Sequence, residues 1–374
     1  MKQNSVWPRR AEFSRLQTSR LRQLALWGML SLVPLSAKAA TTNVSAEQIA
    51  SLASSAQPMA ATTKPDVAPA LKPAAAEDLQ AWLERVSHAA QRRNYSGIFV
   101  VQSGGRMVSS TIDHYVTKGS TLEKVETLDG ERRILLCQNE KTRTILPAER
   151  LVVVEDHQAD FSFPRVLKTP RAELSALYSM QHEGQERCAG YVCEVTRITP
   201  RDDLRYGYRL WTEQTSDLLV KAQTLDSQGN VLDQVAFTQL NLNPEPKPDM
   251  VAQALRGTGG YQVEHMRATP TTSRAQGWTL SKPPPGFKSV GIYQRRLLLR
   301  AKPVEVTQWL FSDGLASVSL FGGSTADTQQ HGASLHMGET NALLDRKGAW
   351  SVIAIGAVPT KTLQLFADSI ARLR

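Results

Sequence analysis

The chain has 374 residues, of which 44 are Lys or Arg and 35 are Asp or Glu, for a net charge of +9. Seven of the basic residues and one acid lie in positions 1–39; without that segment 37 basic residues face 34 acidic ones, a net +3. So small an excess argues against a nucleic-acid-binding surface, and the roughly 335 residues that remain are enough for two domains with cores of their own.

Positions 1–39 predict a secretory signal peptide. Arg9, Arg10, Arg15, Arg20 and Arg22 form a basic flank, residues 24–35 an apolar core, and Ala37-Lys38-Ala39 a small-x-small cleavage site. The core is shorter than the roughly 20 residues a membrane span requires. Residues 40–76 are rich in Ala, Thr, Ser and Pro. They lack the bulky apolar residues that offset ordering entropy, and so read as a flexible tether.

The first domain is expected over 77–243. Leu79, Trp82, Leu83, Val86 and Ala90 recur at helical spacing, which predicts an amphipathic helix. Strands follow at 98–102, 107–116, 122–128, 133–138, 142–146 and 151–154, with Gly104-Gly105 and Asp129-Gly130 as turns. A short helix is expected at 171–178. From there to residue 242 apolar and polar residues alternate, as in Tyr206-Gly207-Tyr208-Arg209-Leu210-Trp211, the pattern of half-buried strands. One helix against many antiparallel strands predicts a curved sheet or open β-barrel wrapped over the helix. Phe99, Val101, Trp211 and Phe237 are expected on its concave face, as core or as the wall of a lipid cavity.

Prolines 244, 246 and 248 and glycines 257, 259 and 260 mark a linker over 244–276. The second domain, 277–374, reads as small α+β. It has strands near 278–280, 290–299, 307–311, 315–321 and 349–357, an Asp313-Gly314 hairpin turn, and a final helix after Pro359 with Leu363, Phe366, Ile370 and Leu373 on one face. The whole chain is thus α+β.

The chain offers little chemistry. It has three cysteines and seven histidines. Cys188 and Cys193 enclose four residues: a four-residue loop would set them face to face for a disulfide, and a two-residue Ala189-Gly190 turn would stagger them. Two free thiols are the alternative. Cys137, in an apolar run, reads as a small core residue. His331 and His336 fit no common zinc spacing. His114 reads as a packed or hydrogen-bonded histidine, with no motif placing a nucleophile beside it. No Gly-x-Ser-x-Gly elbow is present, so an enzyme is not expected, and neither is a cofactor or metal. Arg132-Arg133 and Arg295-Arg296 (with Arg300 close by) are either solvated strand edges or contacts for an acidic partner or a phosphorylated glycolipid.

The order of several motifs resembles the MucB/RseB family of periplasmic sigma-E regulators. In the first domain these are Asn94-Tyr95-Ser96-Gly97 with Phe99, Gly104-Gly105, His114, Leu128-Asp129-Gly130 before Arg132-Arg133, Gly190 before Cys193-Glu194-Val195, and the Tyr206 to Trp211 strand. In the second they are Pro285-Gly286-Phe287, Ser312-Asp313-Gly314-Leu315 and the Pro359 helix. The resemblance implies a first domain like the lipoprotein carriers of the LolA/LolB type, and a location in the periplasm. It also implies a non-enzymatic negative regulator that binds the periplasmic region of a membrane-anchored anti-sigma factor. Binding would shield that region from site-1 proteolysis until lipid or lipopolysaccharide releases it. A homo-oligomer stays open, and a lipid or lipoprotein carrier is the competing reading.

Overall fold

The structure is a computed structural model that describes residues 78–117, 120–139, 141–156, 174–299, 302–324, 333–348 and 350–373. The expected signal peptide, the tether, His331 and Arg300 lie outside the described residues. So does the start of the expected helix at 171–178.

Helix α1 (Leu79–Arg92) buries Leu79, Trp82, Leu83, Val86, Ala89 and Ala90. These positions form one stripe at i, i+3 and i+4 spacing. The chain leaves the helix by side-chain capture: His114 Nδ1 meets Arg93 O at 2.9 Å, and Asn94 Oδ1 accepts the Val116 N–H at 2.8 Å. Strands β1 (Tyr95–Ser103), β2 (Arg106–Thr117), β3 (Ser120–Thr127), β4 (Ile134–Gln138), β5 (Lys141–Leu146) and β6 (Leu151–Asp156) follow. Helix α2 (Leu174–Leu177) then leads into β7 (Tyr178–Cys188), β8 (Tyr191–Pro200), β9 (Gly207–Glu213), β10 (Leu219–Leu225) and β11 (Val231–Asn241).

These strands form one sheet in the order β12-β6-β5-β4-β3-β2-β1-β11-β10-β9-β8-β7, where β12 (Gln262–Met266) comes from the segment beyond β11. Every neighbouring pair is antiparallel except β12 with β6. The two ends, β12 and β7, do not pair, so the sheet is open. The Gly104-Gly105 turn between β1 and β2 has φ of 54° and 77°, the left-handed geometry that tight hairpins require. The expected Asp129-Gly130 turn is part of a longer loop, in which Asp129 Oδ2 accepts the Ser109 N–H at 2.6 Å.

The expected linker is structured. It holds a short helix, α3 (Met250–Leu255), followed by β12 and β13 (Ala268–Thr271). Strand β12 joins the first sheet through β6, and β13 joins the second through β15 (Lys288–Leu299). Only Arg267 separates them, so the covalent connection is held by backbone pairing on both sides.

The second sheet runs β13-β15-β16-β17-β20-β19-β18, with β16 (Lys302–Ser312), β17 (Ser317–Ser324), β18 (Ala333–Met337), β19 (Thr340–Lys347) and β20 (Trp350–Gly356). A small second ladder pairs β14 (Trp278–Leu280) with β21 (Ile370–Arg372). The β18–β19 hairpin was not expected. Helix α4 (Thr360–Ser369) starts after Pro359 and buries Leu363, Phe366 and Ala367 against the sheet. Phe366 is the centre of that core, with ring centroids 4.9 Å from Phe311 and 5.5 Å from Phe287. No helix among the described residues is long and apolar enough to cross a membrane.

The α4 face gives a direct test. Phe366→Ala should lower the unfolding free energy by about 3–5 kcal/mol. Leu365→Ala, at the exposed next position, should change it by less than about 0.5 kcal/mol. Urea unfolding followed by circular dichroism measures both, and equal losses would contradict the packing described.

Candidate binding face and the interdomain seat

Cross-strand register decides which side chains share a face. Phe99 pairs with Phe237, and Val101 with Val235; Val235 pairs in turn with Ala222, and Ala222 with Leu210. Alternation puts these rows on one face of the sheet. Phe99 and Phe237 are packed there edge to face at 6.1 Å, with Tyr95 against Phe237 at 6.3 Å. Phe99 is 0% exposed and Phe237 3%, so this end of the face is filled by side chains. Val101 lies half-buried at the margin of the same cluster.

Trp211 lies in the same apolar cluster, which has Val101 at its margin. It pairs with Lys221, which pairs with Ala236, the neighbour of Phe237. A register shift lies beside it, between Leu219 and Lys221, and Trp211 packs in one buried cluster with Phe99 and Phe237. Charged side chains also cover its ring: Lys221 Nζ lies 4.2 Å and the Arg209 guanidinium 4.7 Å from its centroid. Its Nε1 donates to Glu186 Oε2 at 2.8 Å.

The face bearing Phe99 is also the seat of the second domain. Leu79, Trp82, Leu83 and Val86 of α1 form a buried cluster with Leu210, Leu219 and Ala222, and Leu315 of the second domain completes it. Beside it lies an ionic cluster shut away from water. Arg205 Nε is 3.0 Å from Asp313 Oδ2, and both side chains are fully buried. Tyr178 Oη donates to the same oxygen at 2.8 Å. Asp313 Oδ1 accepts the backbone N–H groups of Leu315 and Ala316 at 2.9 and 2.7 Å. Arg205 also donates to Pro285 O at 2.7 Å, pairs with Asp202 at 3.2 Å, and lies over the rings of Tyr178 and Phe287. Burial pushes the Tyr178 and Tyr208 phenols well above their ordinary range. Gly286, at φ 82°, is required here: a Cβ would sit 2.8 Å from the Leu177 methyls and 3.1 Å from the Arg205 guanidinium.

Further contacts tie the loop before β9 to the second domain. Thr362 Oγ1 donates to Leu204 O at 2.6 Å, Asn341 Nδ2 to Tyr206 Oη at 2.9 Å, and Lys361 pairs with Asp203. None of Arg205, Tyr178 or Thr362 was singled out from the sequence. Asp313 was, but only as a turn residue. The signal that could have flagged it is an Asp-Gly turn inside an otherwise apolar stretch, which needs a buried cation to be tolerated.

The four arginines expected at an acidic contact do not form one exposed patch. Arg132 and Arg296 are exposed but paired with Glu126 at 2.8 Å and Glu305 at 2.9 Å. Arg133 is only 7% exposed, and burial lowers its guanidinium pKa against the pull of Glu149 and Glu155. Arg295 bonds Gln308 at 2.8 Å and reaches across to Glu155 at 3.4 Å. Arg133 and Arg295 thus serve the interior of the fold, and neither pair lies on an edge strand.

Cys188 and Cys193 are free thiols. The hairpin turn is the two-residue Ala189-Gly190 form, with φ of 49° and 90°. Cys188 pairs with Tyr191 and Cys193 with Glu186, so the two are diagonal rather than face to face. Their sulfurs share a hydrogen bond; it brings the Cys188 thiol down to about 7 and raises Cys193. Cys137 is a buried core residue. His114 is buried and stacked on Tyr95 at 4.6 Å, and burial lowers its pKa despite the bond to Arg93 O. It is a packing residue.

Comparison with known proteins matches both halves. Residues 78–255 match the MucB/RseB N-terminal domain and residues 272–371 the MucB/RseB C-terminal domain. The sigma factor AlgU regulatory protein MucB of Pseudomonas aeruginosa is 29% identical over 300 residues, covering 79% of this chain and 91% of that protein. The sigma-E factor regulatory protein RseB of Escherichia coli K12 is 25% identical over 292 residues, covering 78% and 89%. Among solved structures, MucB in complex with MucA(peri) superposes with a TM-score of 0.62 at 27% identity, covering 79% of this chain and all of that one.

Two measurements check this geometry. Tyr178→Phe leaves the Arg205–Asp313 pair but removes one buried hydrogen bond, and should cost about 1–3 kcal/mol of stability; a change within error would contradict the cluster. In the reduced protein at pH 7.5, a maleimide followed by mass spectrometry should label Cys188 ahead of Cys193 and Cys137, because the thiolate is the reactive form. Labelling of Cys193 first would contradict the assignment.

Proposed function

This chain belongs to the MucB/RseB family, and on that premise we propose that it is a non-enzymatic negative regulator of an envelope-stress sigma factor. In this reading it is exported to the periplasm. There it binds the periplasmic segment of a membrane-anchored anti-sigma factor and shields that segment from site-1 proteolysis. Lipid or lipopolysaccharide then lifts the block. Family membership supports the regulator class, since the relatives that match over most of their length are sigma factor regulatory proteins. The solved relative that matches with a TM-score of 0.62 is a complex with MucA(peri), which favours a peptide-binding role.

The observation that carries this reading over that of a lipid carrier is the seat. A carrier needs an open apolar face on the first domain alone. Here Phe99 and Phe237 fill one part of that face, and Leu315 of the second domain closes another. An acyl chain would enter only by displacing part of the seat, which would make lipid a trigger rather than a cargo.

The reading is tested by cleavage of the anti-sigma periplasmic segment by the site-1 protease. Adding this protein should slow cleavage by about tenfold or more, within the ordinary range of coupling energies, and lipopolysaccharide should restore it. An unchanged cleavage rate would overturn the proposal.

A further inference from the structure

The tip of the β18–β19 hairpin enters the first domain beside the Gly104-Gly105 turn. Gly338, at φ 57°, has no room for a side chain, because a Cβ there would collide with Asp233 Oδ1 and Ser103 Oγ. On the other side, a Cβ at Gly104 would lie 3.2 Å from Gly338 N. Beneath the tip, register aligns Ser103, Asp233, Thr224 and Tyr208 in one cross-strand row. Glu339 reaches onto that row and accepts a hydrogen bond from Thr224 Oγ1. Two carboxyl groups from different domains are thus brought together, and Asp233 Oδ1 has no contact with water. Among the described residues, the acids that pair with cations across the seat are Asp313, Asp203 and Glu155, and neither Asp233 nor Glu339.

We propose that Asp233 and Glu339 form a proton-operated latch between the two domains, which holds while at least one of them is protonated and loosens when both are ionised. The proposal is independent of the partner and of the regulator reading. Two partly buried like charges that act on each other cannot both ionise without cost. Burial, and then the charge of Glu339, push the Asp233 carboxyl up to about 7, while the Ser103 hydroxyl and the Glu339 backbone pull it down. Burial likewise raises Glu339 against its bond from Thr224. Each residue as a whole is only half-buried, so solvent screens part of the effect.

The sign follows from linkage. The seated state binds protons more tightly than the unseated one. Its added stability is complete below the ordinary carboxylate range, about pH 4, and is lost as pH rises to about 7. Other groups around the tip are Tyr206 and Tyr208 from the first sheet, Asp226 in the β10–β11 turn, and the exposed Arg106 opposite Ser103. His336 lies on the hairpin itself and bonds Asn341. It is the group most able to imitate the effect, and is therefore the control.

Hydrogen exchange of the full chain reads the latch directly. After correction for intrinsic rates, protection of the 333–347 amides relative to those of β20 should fall by about tenfold between pH 5 and pH 8. Asp233→Asn together with Glu339→Gln should hold protection level across that range, and Asp233→Asn alone should remove most of the fall. His336→Gln should keep it. A wild type whose protection does not change with pH would overturn the latch, as would a double variant that falls like the wild type or a His336→Gln variant that does not fall.

Discussion

Arg205, in the loop before β9, and Asp313, in the turn after β16, come from different domains, and each would be intolerable where it lies without the other. An ionised side chain taken fully out of water costs several kcal/mol unless its hydrogen-bonding capacity is met. Here the Asp313 carboxylate accepts hydrogen bonds from the Tyr178 hydroxyl and two backbone N–H groups, and the Arg205 guanidinium donates to Pro285 O and forms ion pairs with Asp313 and Asp202. Two domains that separated would each expose a charge that the seated form has neutralised. They would also uncover Leu315 and the α1 cluster around Trp82. Apolar burial supplies the attraction, and the ion pair fixes which surfaces meet.

That constraint explains features that otherwise look unrelated. Gly286 must lack a side chain because Leu177 and Arg205 pack onto it. Consecutive strands β12 and β13 are shared between the two sheets, which holds the connection short while the seat forms. The face carrying Phe99 and Phe237 ends as an interior surface, covered in part by α1 and in part by the second domain. A ligand that competes for this face must act through the seat, and this ties the apolar interior to the mutual arrangement of the domains.

Much of the fold was legible in the sequence because its signals are local. Leu79, Trp82, Leu83 and Val86 state the period of α1 by themselves, as do Leu363 and Phe366 for α4, but the helix stops at Ser369, so that Ile370 lies in β21 and Leu373 is exposed. Alternation gave most strands of the first sheet, and the resemblance to the MucB/RseB family rested on turns whose order the fold preserves. The rest depends on pairings between distant positions. Residues 333–347 were passed over because their glycine-rich approach hides two strands. The linker strands bury little besides Met266, so no apolar run announced them. Arg133 looked like a surface cation beside Arg132, and nothing in one sequence places its side chain near Glu149 and Glu155.

The central claim is that the buried Arg205–Asp313 pair makes the two domains one cooperative unit. Scanning calorimetry of the intact chain and of an Asp313→Asn variant tests it most directly. The seat predicts a single transition in the wild type, with calorimetric and van't Hoff enthalpies in agreement, and separation into two transitions in the variant. Two resolved transitions in the wild type, or a variant that still melts as one unit at an unchanged temperature, would contradict it.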